Sequence, residues 1–266
     1  MKPWLRFLVT GIFPGLCPVW PLFISPLGIG AQAPKEQPPV KVQILLADRW
    51  PVPTPVSKGQ TKLTLRGLAL DSIEKAEAIP KTGSPIPLKI LKKEKSGAPA
   101  NRDANQGGDS QMELEFPEGM PAVSSLKFHP KTKDTPLVLP WMEAKGGYQM
   151  EKEPNGGFVE SQPIAPNQLI MGAITPAKDV DVFSLTPPKG SKSMVLDGPK
   201  GDHLTLLRPF LMIHTAQGDL VKAFEWETDQ QIVVPLPGQA TYFLSIIDRL
   251  DSTSNFHHYA IRADFR

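Results

Sequence analysis

Glu151-Lys152-Glu153-Pro154-Asn155 and, after a turn-rich linker, Asp179-Val180-Asp181-Val182-Phe183-Ser184-Leu185 decide how this chain is read. In extended backbone, side chains two apart share a face. Glu151, Glu153 and Asn155 would then present three oxygen-bearing groups on one side. Pro154 favours this, because the residue before a proline avoids the helical region. Asp179 and Asp181 share parity with Phe183 and Leu185, which call for a core. Carboxylates at the mouth of a core need a partner, since burying an unpaired charge is costly. One candidate is a hard cation with oxygen ligands. The other is a set of backbone N–H groups that the carboxylates would cap at the end of a sandwich.

Downstream of this stretch the apolar residues recur at strand spacing, with turn signals between them. Leu169 to Ile174, Val180 to Leu185, Ser193 to Leu196, Phe210 to Thr215, Leu220 to Trp226, Gln231 to Val234, Tyr242 to Ile247 and Tyr259 to Phe265 read as eight short strands. That number in a unit spanning 151–266 predicts a jelly-roll sandwich. Upstream, Val42/Ile44/Leu46, Leu63/Leu65 ending at Gly67, Ile86/Leu88/Ile90, Met112/Leu114/Phe116, Val123/Leu126/Phe128 and Leu137 to Leu139 alternate in the same way. They predict an immunoglobulin-like sandwich over 41–141. A linker at 142–150, marked by Gly146-Gly147, divides the two. Lys92 to Gly108 reads as a long polar hairpin loop. The expected fold class is all-β, with two β-sandwiches in tandem. Thirty prolines in 266 residues agree with it, since proline is excluded from helix interiors and central strands.

The net charge of +2 gives no electrostatic footprint for nucleic acid. No glycine-rich phosphate loop is present, so no nucleotide site is expected. Lys2 and Arg6 precede an uncharged run from Phe7 to Ala33, which four prolines break up. This predicts a cleaved signal peptide over 1–33 rather than a spanning helix. Ala31-Gln32-Ala33 allows cleavage after Ala31 or Ala33, and 34–40 is a linker. A lipoprotein anchored at Cys17 fits less well, because Leu16 stands where a small residue belongs. Cys17 is the only cysteine, so the exported protein would have neither disulfide nor thiolate chemistry.

The stretch Gly59-Gln60-Thr61-Lys62-Leu63-Thr64-Leu65-Arg66-Gly67-Leu68-Ala69-Leu70 resembles the glycine-led strand of IPT/TIG-type immunoglobulin-like domains. The second unit is similar to the bacterial pre-peptidase C-terminal domain. The match runs through Glu151 to Asn155, Gly172-Ala173-Ile174, Asp179 to Phe183, Leu211-Met212-Ile213, Gly218-Asp219 and Gly238 ahead of Tyr242-Phe243-Leu244. The pairing resembles exported proteins of planctomycete-type bacteria. The collagen-binding members of the second family, in clostridial collagenases, bind calcium through the acidic motif. The resemblance therefore implies Glu151, Glu153, Asn155, Asp179 and Asp181 as candidate calcium ligands. Gly156 stands where the family has a further oxygen ligand. No collagen-binding aromatic motif carries over.

Other motifs read as structure. Gly107-Gly108-Asp109-Ser110 has the look of a hydrolase nucleophile but opens a hairpin strand, and a triad needs a base and an oxyanion hole besides. His129, His203, His214, His257 and His258 lack zinc spacing and read as surface residues. Lys89, Lys92, Lys93, Lys95 and Arg102 form a basic hairpin tip, either solvated or touching a polyanion. Trp141, Trp226 and Tyr148 read as packing residues or a sugar platform. No catalytic residue is assigned. The expected function is an exported, non-catalytic binding or scaffold protein. Its partner would be a protein or polysaccharide of the cell envelope or surroundings. The alternatives are an accessory module aiding secretion or maturation of a peptidase, and a hydrolase with an unrecognised site.

Overall fold

Alternating apolar residues create two filled cores, and strand order shows how the chain encloses them. The computed structural model describes residues 41–59, 61–99, 104–131, 135–141, 147–198, 204–226 and 231–266. The expected signal peptide, Cys17, the 34–40 linker, Arg102, Gly146 and His203 lie outside these residues.

Among the described residues the first unit has seven strands: β1 (Gln43–Ala47), β2 (Lys62–Leu68), β3 (Ile73–Pro80), β4 (Ile86–Lys95), β5 (Ser110–Glu115), β6 (Val123–Pro130) and β7 (Leu137–Pro140). Their order is β1-β2-β5-β4-β3-β6-β7. Four strands ordered first-second-fifth-fourth and three ordered third-sixth-seventh are the two sheets of a constant-type immunoglobulin fold. Here β4 joins them. Its start, Ile86 to Leu88, pairs with β3, and after that Lys89 to Lys95 pairs with β5. Leu63, Leu65, Met112 and Leu114 from one half meet Ala76, Ala78, Leu126 and Phe128 from the other in a single core. Two expectations change. Lys92 to Lys95 belongs to a strand rather than a loop, and Ile73–Pro80 is a strand that the periodicity did not reveal. Its inward residues, Ala76 and Ala78, are too small to mark the pattern among the charges.

Among the described residues the second unit has ten strands: β8 (Tyr148–Met150), β9 (Gln162–Ile164), β10 (Leu169–Ala173), β11 (Val180–Leu185), β12 (Ser193–Asp197), β13 (Pro209–Thr215), β14 (Leu220–Glu225), β15 (Ile232–Pro235), β16 (Tyr242–Asp248) and β17 (His258–Phe265). They form two sheets, β15-β12-β17-β10-β8 and β14-β13-β16-β11-β9. Without β8 and β9, this is the strand order of a jelly roll, with the eight strands predicted from periodicity in the eight places. Phe183, Leu185, Leu211, Ile213, Tyr242, Leu244, Tyr259 and Ile261 fill the space between the sheets. Strand β8 begins inside the segment expected to be linker.

The two short strands that periodicity missed place the acidic stretch. Strand β8 runs parallel to β10, and β9 runs parallel to β11. Because β8 and β9 lie in different sheets, residues 151–161 cross from one sheet to the other. They do so at the same end of the sandwich as residues 174–179, which connect β10 to β11. Residues 40–266 pack as one unit. Among the described residues no helix is long and apolar enough to cross a membrane.

Candidate functional site

The acidic residues meet where these two crossovers lie side by side. Glu153, Asp179 and Asp181 each bring one carboxylate oxygen within 4.8 Å of the others. Glu153 is exposed, Asp179 half-buried and Asp181 fully buried. Asp181 reaches the corner from β11, and Asp179 from the turn before it. The Asp179 carboxylate accepts the Thr175 N–H at 3.1 Å and the Val180 N–H at 3.0 Å, which pins the turn.

Asn155 lies in the same corner and is completely buried. Its carbonyl accepts the Val182 N–H at 2.9 Å, and its own N–H donates to Glu153 Oε2 at 3.0 Å. With its amide nitrogen turned to the acids, the side chain donates to Glu153 Oε2 at 2.9 Å and Asp181 Oδ1 at 3.1 Å. With its oxygen turned to them, it faces only acceptors. The first orientation satisfies both ends of the amide. The second leaves the amide nitrogen facing only donors as well, so the first is the orientation that fits its surroundings.

Glu151 departs from the expected shared face. Strand β8 ends at Met150 and the chain bends at Glu153, so the two-residue parity does not carry across. The Glu151 side chain lies over the sheet instead. Oε1 accepts the Ala173 N–H at 2.9 Å, and Oε2 lies 2.7 Å from the Tyr259 hydroxyl. The same hydroxyl lies 2.6 Å from Asp181 Oδ2. It has one hydrogen for two carboxyl groups, so a second proton on the carboxyl pair completes the bridge. Burial, and then the neighbouring Glu151 charge, push Asp181 up to about 8, against the pull of the Tyr259 hydroxyl. Burial likewise raises Glu151, and raises Tyr259 well above the ordinary phenol value. Glu151 thus meets Asp181 directly as well as through Tyr259, but it is not one of the three acids whose oxygens all lie within 4.8 Å of one another.

Two residues of this site escaped the sequence reading. One is Tyr259. The other is Gly172 on β10, where a Cβ would sit 2.0 Å from Glu151 Oε2 and 2.3 Å from the Tyr259 hydroxyl. A glycine inside a strand is a signal for close approach of another group, and it could have been used.

A Ser–His pair occurs elsewhere. Ser252 Oγ lies 2.8 Å from His257 Nε2. Asp248 Oδ2 also lies 2.6 Å from Ser252 Oγ and accepts the Ser252 N–H at 2.8 Å. His257 Nδ1 faces Ser254 Oγ at 2.8 Å. A hydrolytic triad has its carboxylate on the histidine. Here the carboxylate holds the serine, so the cluster brackets the turn 249–257. His257 and His258 are both buried, which corrects the reading of them as surface residues. His129 is half-buried, 2.8 Å from Glu77.

The remaining motifs become structural on inspection. Ser110 is fully buried; its hydroxyl lies 3.0 Å from the Gly67 carbonyl and accepts the Leu70 N–H at 2.7 Å. Asp109 accepts the Ala69 N–H at 2.9 Å. Gly107 and Gly97 carbonyls accept from Arg66, at 3.0 and 2.5 Å. The basic tip is largely neutralised: Lys89 pairs with Glu115 at 3.1 Å, Lys92 pairs with Glu94 at 2.7 Å, and Lys93 donates to the Ile73 carbonyl. Trp141 packs edge-on against Trp50 and Phe116. Trp226 is buried, and Tyr148 packs against Leu169, Met171 and Ala260. None of the three forms an exposed platform.

An open cleft of about 420 Å³ lies on the first sandwich, lined by Lys58, Gly59, Thr61, Pro87, Lys89, Glu115, Phe116, Pro117 and Glu118. It carries two ammonium groups, two carboxylates and a hydroxyl, and no histidine.

No family model matches the chain, and no curated protein matches it. Among solved structures it is similar to a secreted serine protease, VesC, from Vibrio cholerae, at 12% identity and a TM-score of 0.28, over 77% of this chain and 46% of that one. The chain thus spans less than half the length of that protease. A structure of infectious bursal disease virus, Gt strain, is similar over 88% of this chain and 73% of that one, at 10% identity and a TM-score of 0.15. At these TM-scores neither likeness bears on function.

Proposed function

We propose that the chain is an exported, non-catalytic binding or scaffold protein that recognises a protein or polysaccharide of the cell envelope or its surroundings. The observation that carries this reading is the cleft of Lys58, Lys89, Glu115 and Glu118. Its volume is within the range of ligand-binding clefts. Its donors and acceptors are balanced, and it contains no nucleophile paired with a base. A ligand rich in hydroxyl and amide groups, each both donor and acceptor, matches such a lining. In this reading the two units are an IPT/TIG-type domain followed by a pre-peptidase C-terminal-type domain.

In the same reading the acidic corner is a brace. Glu153, Asp179 and Asp181 would hold a calcium ion, for which the Asn155 amide would turn its oxygen inward as a fourth ligand, with Glu151 and Tyr259 holding Asp181. Calcium takes about six to eight oxygens, so backbone carbonyls or water complete the set. The residues fit in their donor set, since Glu153, Asp179 and Asp181 bring three carboxylate oxygens within 4.8 Å of one another.

The binding reading is tested by screening the purified protein against envelope glycans and matrix proteins, beside the double variant Lys89→Ala/Glu118→Ala. A ligand that the wild type binds at least tenfold more tightly than the variant supports the cleft. Equal binding by both proteins removes it.

A further inference from the structure

The loop just before β13 does something that neither sandwich needs for itself. Leu204 belongs by sequence to the second unit, yet its side chain is 3% exposed and packs within the core of the first. Its carbonyl accepts the Ala47 N–H of β1 at 2.7 Å. Its φ is 51°, a left-handed conformation that is unfavourable for a residue with a Cβ. Strain of this kind persists only where the surroundings hold it.

The holding groups lie on the second sandwich. The Thr205 hydroxyl is 2.8 Å from the carbonyls of both Phe256 and His258 and accepts the Leu207 N–H at 3.1 Å. Leu206 N–H donates to the Phe256 carbonyl at 2.7 Å. Phe256 in turn ends the turn that Asp248, Ser252, Ser254 and His257 bracket. One continuous path of bonds thus runs from the Asp248–Ser252–His257 cluster, through Phe256 and Thr205, to a leucine in the other core.

We propose that this path is an interdomain clasp. The Ser–His–Asp cluster is its foundation, Thr205 its anchor and Leu204 the knob that locks the two sandwiches into one cooperative body.

Thr205→Val tests it, because Thr205 bonds only to the second sandwich, while the clasp transmits its loss to the first. Hydrogen exchange measured by mass spectrometry follows β2 and β5 separately from β13 and β16. Thr205→Val should speed exchange in β2 and β5 at least threefold. Thr205→Ser, which keeps the hydroxyl, should match the wild type. In a Leu204→Ala background, where the knob is already gone, Thr205→Val should leave β2 and β5 unchanged. A Thr205→Val effect confined to 204–207 and 256–258 overturns the clasp. So does an equal effect on β2 and β5 with and without Leu204.

Discussion

Replacing Gly172 by alanine separates the physics of this site from generic strand preference. In a strand interior, alanine in place of glycine is favourable by roughly 0.5–1 kcal/mol, so propensity alone predicts a gain. The structure predicts a loss. The new Cβ would lie 2.0 Å from Glu151 Oε2, 2.3 Å from the Tyr259 hydroxyl and 2.5 Å from the ring carbon bearing it. The Glu151 carboxylate is the end of a flexible, half-exposed side chain and can swing aside. The Tyr259 ring cannot, because it is 5% exposed and packed edge-on against Phe183. Overpacking of this kind costs about 1–3 kcal/mol. Moving the hydroxyl also strips the fully buried Asp181 of a hydrogen bond, at about 1–3 kcal/mol for a buried polar group left unsatisfied. The net expectation is a loss of about 2–5 kcal/mol. Urea denaturation followed by circular dichroism measures it, and the midpoint should fall by on the order of 1–2 M for typical slopes. The double variant with Tyr259→Phe should show coupling of about 1 kcal/mol or more, since the two sites touch. A Gly172→Ala protein as stable as the wild type, or more stable, would refute the packing argument.

Two further outcomes are expected. If the acidic corner holds calcium, millimolar calcium should raise the melting temperature relative to chelator, and Asp181→Asn should abolish the rise; an unchanged melting temperature in the wild type counts against the cation. Burial would raise Asp248, but hydrogen bonds from Ser252 and from the Arg208 and Ser252 N–H groups, with the charge of His257, outweigh it and hold it below the ordinary carboxylate value. Its stabilisation is therefore fully present above the unfolded-state value of about 3.9 and is lost as pH falls through the lower folded value. Asp248→Asn should lower stability at pH 7 by about 1–3 kcal/mol, with the gap to wild type closing below pH 4, and a gap that stays constant down to pH 2 would contradict this.

The architecture was largely legible in the sequence because large apolar residues mark the inward face of a strand. Leu63/Leu65, Met112/Leu114 and Leu211/Ile213 alternate, and their strands lie where the pattern puts them. The pattern failed where the inward residues were small, as in Ile73–Pro80, or the strand very short, as in Tyr148–Met150. At the site, Asp179 and Asp181 were legible from their parity with Phe183. Glu151 was not, because the crossover between sheets begins directly after Met150 and ends the two-residue period.

Local chemistry thus determined the strands, the sandwich class and the acidic character of one corner, since each depends on neighbours within a few residues. Tertiary structure alone decided which acids share that corner. It brought Tyr259, 108 residues on from Glu151, between two carboxyl groups, with Gly172 leaving the room. It also turned His257 from a surface residue into part of a buried bracket, and sent Leu204 into the other sandwich's core. These contacts join strands distant in sequence. They are set by which sheets pack together, which no local pattern encodes.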